Sequence, residues 1–448
     1  MFISDRLFER CVEDVGLDFQ AADIWDKYLA FEAQNNSDKT RYYSILLRLV
    51  KLPIRAHDKY ATALLNMAQS MPTEEMTTSE HHASVLNNIQ QEASRNSAIK
   101  VDATVRDVIT THLRHTIEAT KQEVQKRIGY EDALAQTQNY FLPMKRTEPD
   151  IKLWVDYLDF EEVNGNYETT KMLYERALVV LAYHEELWSR YARWMLAQQG
   201  HKEQEVRNIF QRASQIFVPI GQPQIRMHYA FFEETQGNID YALAIIKAVL
   251  DQLPDDFETI LAHVNIVRRQ LGVDAAIEVC EEHIKNPACL SDTKGSVLVE
   301  AARLLANVKG NIFEARRIFE SNKNDYAACG AFWDGYVLFE LDRVPSSSES
   351  RNYERVKAVF DDILHRTEIS PEFVTSQFEK YFEYLQDYGT KDTMKEYLKV
   401  DALIKGSKTV QVAMNAEIAD EAAKGNGKQR QITGSTTGDQ NGGHEVGR

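Results

Sequence analysis

Trp154-Val155-Asp156-Tyr157-Leu158-Asp159-Phe160-Glu161 is the stretch on which the fold turns, because its skeleton, Trp-x-x-Tyr-x-x-Phe-Glu, recurs along the chain. It returns as Trp25, Tyr28, Phe31, Glu32 and as Trp333, Tyr336, Phe339, Glu340. Degenerate copies are Trp188, Tyr191, Trp194, then Arg226, Tyr229, Phe232, Glu233, and late in the chain Phe378, Tyr381, Tyr384. With Leu261 and Val299 as weaker copies, the phrases start at 154, 188, 226, 261, 299 and 333, in steps of 34, 38, 35, 38 and 34 residues. A period of that size marks stacked supersecondary units, each too small to bury its own apolar face.

Spacing within the phrase says what each unit is. Residues at i, i+3, i+6 and i+7 share one side of a helix, so the aromatics line a single buried stripe. About fourteen residues beyond the Phe position comes a second apolar phrase, Leu173-Tyr174-Glu175-Arg176-Ala177 in one unit and Ala315-Arg316-Arg317-Ile318-Phe319-Glu320 in another. Between the two lie Gly165-Asn166, Gly237-Asn238, Gly310-Asn311 or Gly272, residues suited to closing a helix before a tight turn. Each unit is therefore a helical hairpin. The expected fold is all-α, an α-solenoid superhelix of antiparallel hairpins.

Composition sets outer bounds. The 448 residues are 43% hydrophobic, and twenty Tyr, nineteen Phe and five Trp with only ten Pro suit helices with aromatic knobs. No apolar run approaches the eighteen or so residues of a membrane helix, and Met1-Phe2-Ile3-Ser4-Asp5-Arg6 lacks the basic-then-apolar order of a secretory signal, so neither is expected. Cys11, Cys280, Cys289 and Cys329 show no CxxC spacing and read as reduced, buried small hydrophobes. Sixty-eight acidic residues against 52 basic ones give a formal charge of −16, where nucleic-acid phosphate calls for a basic face. The local basic groups (Arg114, His115, Lys121, Lys126, Arg127; Arg268-Arg269; Arg316-Arg317) read as solvated helix faces. The balance points to protein partners, with RNA engaged only indirectly.

Along the chain, residues 1–69 hold the first repeats, opening with Leu7-Phe8-Glu9-Arg10-Cys11, which matches a second helix with no first helix before it. A full unit runs from about Ala21 to Leu52, with Asn36 near the Gly position. Residues 70–100, with Pro72 and scattered Ser, Thr, Asn and Gln, read as a flexible polar insertion. Residues 101–140 read as one long helix striped by Val105, Val108, Ile117, Val124 and Ile128. Residues 141–404 read as a continuous run of hairpins, with a longer turn at Pro345-Ser346-Ser347-Ser348-Glu349-Ser350. Residues 405–448, taken as a whole, read as a disordered tail.

No catalytic, cofactor or metal constellation stands out. Gly425-Asn426-Gly427-Lys428 lacks the strand and length of a phosphate loop, His81-His82 has no third ligand in sequence, and His184-Glu185-Glu186 lacks the second His of a metalloprotease helix. The phrase Glu recurs at one structural position, which fits packing or capping. A catalytic acid would be unique. The expectation is a non-enzyme without cofactor or metal.

The paired phrases resemble the half-a-TPR (HAT) repeat, and within that class the pre-mRNA-processing factor 39 family. The narrower likeness lies in Val15-Gly16-Leu17-Asp18-Phe19 leading into Trp25-Asp26-Lys27-Tyr28, and in Trp154 to Leu178 continuing through Glu185-Glu186-Leu187-Trp188 and Tyr191-Ala192-Arg193-Trp194. Phe231-Phe232-Glu233-Glu234 with Gly237-Asn238-Ile239 completes it. Residues 4–404 are covered, whereas the family's repeats upstream of this point are absent. The resemblance implies a nuclear, non-catalytic scaffold of the U1 small nuclear ribonucleoprotein, acting in 5′ splice site recognition and early spliceosome assembly. Its implied partners are U1 subunits and, through the C-terminal repeats, a second copy or a paralogous HAT protein. Another RNA-processing complex, or direct RNA binding, is the alternative.

The candidate dimer face is Phe373, Phe378, Tyr381, Phe382, Leu385, Tyr388, Tyr397 and Leu398, with Tyr384 and Leu403 beside them. That is more apolar surface than one side of a hairpin covers, and a solenoid end needs a cap or a partner. A tail folded back as a cap is the alternative.

Overall fold

Several helices in this chain begin where a side chain supplies a cap. Asn166 accepts from the Thr169 backbone N–H while Thr169 answers the Asn166 N–H, a capping box that opens Tyr167–Val180. Asp256, Asn311 and Ser370 accept in the same way from the backbone N–H groups of Thr259, Glu314 and Phe373, capping the helices that start at Phe257, Ile312 and Pro371. The computed structural model describes residues 2–35, 39–93, 101–137, 147–200, 202–343, 351–364, 369–391 and 393–405. Among the described residues there is no strand. Asn36, the 345–350 turn and the tail from 406 onward lie outside them.

The chain divides into two compact units, 1–229 and 230–448. The first contains α1 (Phe2–Val15), α2 (Ala22–Asn35), α3 (Lys39–Leu49), α4 (His57–Ala68), α5 (Ser79–Ala93), α6 (Val101–Ala135), α7 (Glu148–Asn164), α8 (Tyr167–Val180), α9 (Glu185–Leu196) and α10 (Glu203–Arg212). Helix α11 (Gln224–Thr235) straddles the division. The second unit contains α12 (Ile239–Leu250), α13 (Phe257–Leu271), α14 (Val273–Lys285), α15 (Ser291–Arg303), α16 (Ile312–Asn322), α17 (Gly330–Leu341), α18 (Arg351–Leu364), α19 (Pro371–Tyr388) and α20 (Thr393–Lys405). Successive helices pack pairwise within each unit, α7 on α8, α13 on α14 and α19 on α20 among them.

Gly237, Gly272 and Gly310 take positive φ at their turns, where a β-carbon would be strained. Gly165 differs from them. Its backbone is extended (φ −81°), and its glycine is required by space, since a β-carbon there would lie 2.2 Å from the Glu161 carboxylate.

Two stretches differ from their sequence reading. Where 70–100 read as a flexible insertion, Ser79–Ala93 is a helix packed on α6, and Met71, Met76, Val85 and Ile89 join the core of the first repeats. Its polar residues hid a sparse apolar row with four-residue spacing. On α6, Val108 is 43% exposed, and the buried row runs Val105, Ile109, Leu113, Thr120, Val124, Arg127, Glu131, Leu134. Val105 leads by the helical period to Ile109, not Val108.

All four cysteines are free thiols, three of them buried, and burial pushes the Cys280 thiol up to about 12. Among the described residues, no helix is long and apolar enough to cross a membrane.

Trp333 has no exposed surface, and its indole N–H donates to the Ala327 carbonyl at 3.0 Å. Trp333→Ala should cost about 3–5 kcal/mol, as a large-to-small core change does, and the loss should appear first in α15–α18. Urea unfolding followed by hydrogen exchange of the second unit reads it; an unchanged midpoint would refute the packing role.

The repeat clasp and a candidate protein-binding surface

The first two positions of the phrase work at the joint with the preceding connection and second helix, and the phrase Glu takes a polar partner on a neighbouring helix or turn. The first position donates to a carbonyl of the connection before it: Trp25 Nε1 to Gly16 at 2.9 Å, Trp188 Nε1 to Ala182 at 2.8 Å, Trp333 Nε1 to Ala327 at 3.0 Å. In the copy that begins with Arg226, a buried guanidinium does this work instead. It bonds the carbonyls of Ser214, Val218, Pro219 and Gln222, closing the π-helical end of the preceding helix. Burial lowers its pKa.

The second position stacks. Tyr28 lies on Phe8 with centroids 5.2 Å apart, Tyr157 on Tyr130 at 5.0 Å, Tyr191 on Tyr174 at 4.6 Å, and Tyr229 on Phe210 at 5.5 Å. In the second unit Tyr336 lies on Phe319 at 4.7 Å and Tyr381 on Phe360 at 4.3 Å. The phrase hydroxyl donates to the acid that follows the stacked ring: Tyr28 to Glu9, Tyr157 to Glu131, Tyr191 to Glu175. Burial first, and then the Glu9 carboxylate, push the Tyr28 hydroxyl up to about 12.

The phrase Glu is a buried ion partner. Glu161 takes Arg127 at 2.5 and 3.2 Å, and Glu340 takes Arg316 at 2.6 and 2.8 Å. Glu32 pairs with Arg41 at 3.1 Å, and Glu233 accepts from Asn238 at 2.6 Å. The reading of Arg127 and Arg316 as solvated is thereby corrected. Arg127 is 4% exposed, and both arginines are committed to a buried carboxylate. The signal was present as Arg127-x-x-Tyr130-Glu131 and Arg316-x-x-Phe319-Glu320, a second-helix motif that complements the phrase.

Trp25, Tyr28, Glu32, Trp154, Tyr157, Glu161, Trp188, Tyr191, Tyr229, Phe232, Glu233, Trp333, Tyr336, Phe339 and Glu340 are all buried, whereas Phe31 and Phe160 are half-buried. In the weak copies Leu261 and Val299 are half-buried, but Val264 and Ala302, at the Tyr position, are buried.

The candidate dimer face is corrected. Phe378, Tyr381, Phe382, Tyr384 and Leu385 are buried against the chain's own α17, α18 and α20, in one core that includes Phe332, Phe360 and Val400. The hairpin is not alone, because α17 and α18 cover the side that looked excessive. Phe373 and Tyr397 are half-buried at the rim of that core, and only Tyr388 (53% exposed) and Leu398 (67%) stand out.

Exposed apolar side chains also gather at two neighbouring turns of the second unit: Leu271 (66% exposed) beside Gly272, and Val308, Ile312 and Phe313 (75%) around Gly310. A Lys309–Asp274 ion pair of 2.6 Å ties those turns together. Grouped apolar exposure of this kind marks contact surfaces. Among the described residues, no three His, Cys, Asp or Glu side chains are grouped to hold a metal.

This arrangement defines a HAT-repeat protein. Residues 3–65 match the model of the PRP39 N-terminal HAT repeat and residues 125–269 that of the PRP39 C-terminal HAT repeat. Pre-mRNA-processing factor 39 of Schizosaccharomyces pombe is 30% identical over 418 residues, covering 90% of this chain and 68% of that protein. The chain belongs to the pre-mRNA-processing factor 39 family. The Homo sapiens protein of that name is 25% identical over 86% of this chain, and the chain spans only 58% of it. The U1 small nuclear ribonucleoprotein component PRP42 of Saccharomyces cerevisiae is 22% identical over 43% of this chain and 36% of its own length. The crystal structure of CSTF-77 shares the fold, with a TM-score of 0.58, 13% identity, and coverage of 89% of this chain and 77% of that one.

Two measurements probe the clasp. Arg316→Ala strands the buried Glu340 carboxylate and should cost about 3–5 kcal/mol, more than the paired removal Arg316→Met with Glu340→Leu; equal losses in urea unfolding would show that the ion pair is not buried in effect. The second concerns acid. Burial raises the Glu396 pKa, but bonds from Tyr353, Lys357 and Tyr381 outweigh it and hold the carboxyl below its ordinary 4.5. A lowered pKa gives stability that is present above 4.5 and lost as pH falls through the folded value. Glu396→Gln should therefore flatten the acid limb of the stability–pH curve, and an unchanged limb would contradict the assignment.

Proposed function

We propose that this chain is a non-catalytic scaffold in nuclear pre-mRNA splicing, holding protein subunits of the U1 small nuclear ribonucleoprotein together during 5′ splice site recognition. One observation carries the reading: likeness to pre-mRNA-processing factor 39 runs through 90% of the chain. The relative named as a U1 component, PRP42, supports the choice of particle. Chemistry agrees with a binding role, since Arg127 and Arg316 are committed to the buried carboxylates of Glu161 and Glu340.

The charge of −16 favours protein contact over phosphate contact. Purified chain should bind RNA weakly, without sequence preference; nanomolar affinity at physiological salt with a steep salt slope would favour the direct RNA-binding reading instead. Capture from nuclear extract should retain U1 proteins, and Phe313→Glu should reduce that capture while leaving the melting temperature unchanged. Retention of a cleavage/polyadenylation complex in place of U1 would overturn the assignment. Self-association, or pairing with a paralogous HAT chain, belongs to the same proposal, with the contact now resting on Tyr388 and Leu398. Light scattering at micromolar concentration should report a dimer that Tyr388→Asp with Leu398→Asp dissociates.

A further inference from the structure

The turns of the second unit change character where α15 ends. The α11–α12 turn exposes Thr235, Gln236 and Asn238, all polar. The turn before α16 instead exposes Val308, Ile312 and Phe313, with Leu271 beside them across the Lys309–Asp274 pair. A π-helical turn, Leu304–Val308, shapes it. There the Lys309 N–H reaches back to the Leu304 carbonyl at 3.1 Å, and the Asn311 N–H to the Leu305 carbonyl at 2.8 Å. Such turns recur at functional sites. The flanking turns are tied as well, Arg269 to Glu234 and Arg343 to Asn307. The apolar group therefore sits on a fixed frame, and a ligand loses little free energy in ordering it.

Charge along the two second helices that start here is one-sided. Every lysine and arginine on α14, on α16 and in the turn before α16 already has a carboxylate. Lys285 pairs with Glu281 at 3.0 Å, Lys309 with Asp274, Arg316 with Glu340 and Arg317 with Glu314. Glu278 and Glu282 on α14 and Glu320 on α16 are left over, exposed and without an ion pair among the described residues. Glu278 and Glu282 follow Asp274 at four-residue spacing, so they line one side of α14 as it leaves the apolar turn. Glu320, seven residues after Phe313, does the same on α16. From Asp274 to Glu282 is about 12 Å along the helix, the reach of about four extended residues.

We propose that this apolar turn and the carboxylates running from it dock a short basic segment of a partner protein. One apolar side chain of the segment seats against Phe313, and lysines or arginines follow it within about four residues. The proposal rests on the scaffold reading above and names the chemistry of what the scaffold holds at this place. Charge complementarity selects the occupant: the face's own cations are engaged, so those that answer Glu278, Glu282 and Glu320 come from the ligand. A second copy seated twofold on the same face would bring those carboxylates against one another, and they would repel nucleic-acid phosphate.

Fluorescence anisotropy on the full chain at physiological salt tests it, with a labelled synthetic peptide of two leucines followed by four arginines as the probe. The peptide should bind. Phe313→Ser, which removes the seat without adding charge, and Glu278→Lys with Glu282→Lys should each weaken binding about tenfold. A peptide with serines in place of the leucines should bind about tenfold more weakly as well. Glu379→Lys with Glu383→Lys, the same spacing and charge change on exposed positions of α19, should leave the affinity unchanged. The proposal is overturned if the leucine peptide does not bind, if the serine peptide binds equally, or if the α19 pair weakens binding as much as the α14 pair. It is overturned equally if Phe313→Ser lowers the mass seen by light scattering, which would make a second copy the occupant. The U1 assignment stands or falls separately, on what nuclear extract yields, because this assay contains no U1 protein.

Discussion

The stack of one ring on another between consecutive hairpins is the contact on which this architecture depends. A helical hairpin of some thirty-five residues cannot bury its own apolar face, so each must borrow a surface from its neighbour. At six joints the borrowed surface is an aromatic ring on the preceding helix, met face to face by the phrase tyrosine at 4.3–5.5 Å, whereas Val264 and Ala302 take the tyrosine's place in the aliphatic copies. Offset or parallel rings contribute about 0.5–1.5 kcal/mol beyond the area they bury. The polar rim around the Tyr28 and Tyr157 stacks does something different. The tyrosine hydroxyl, the acid beside the ring and the Arg–Glu pair admit only one register, because a slip by a single residue would strand a buried charge.

Much of this was legible in the sequence, and the reason is periodicity. Trp25, Trp154, Trp188 and Trp333 announce the repeat, and their helical spacing announces the hairpin. The partner motif on the second helix was harder to see. Arg127 and Arg316 look like surface residues because Lys126 and Arg317 flank them, and only the fold shows which member of each pair turns inward. Arg226 is hidden for another reason: a guanidinium serving as a carbonyl clamp does the work of an indole N–H without resembling one.

Two misreadings share a physical origin. Residues 79–93 are too polar to declare a helix by composition, yet Val85 and Ile89 suffice to seat it on α6. Conversely, Phe378 to Leu385 are so aromatic that they suggested a surface in need of a partner. Burial is decided by how many neighbours converge, and sequence read one hairpin at a time undercounts them. The same undercounting explains why the apolar turn around Phe313 was not noticed in the sequence, since nothing local distinguishes it from a buried second helix.

The stacking account is tested most directly by a double-mutant cycle on one joint, Phe319→Leu and Tyr336→Leu singly and together, by urea unfolding. If the rings act as a pair, the two losses are non-additive, with a coupling of about 0.5–1.5 kcal/mol. Additive losses within error would contradict the claim that ring-on-ring contact joins the repeats.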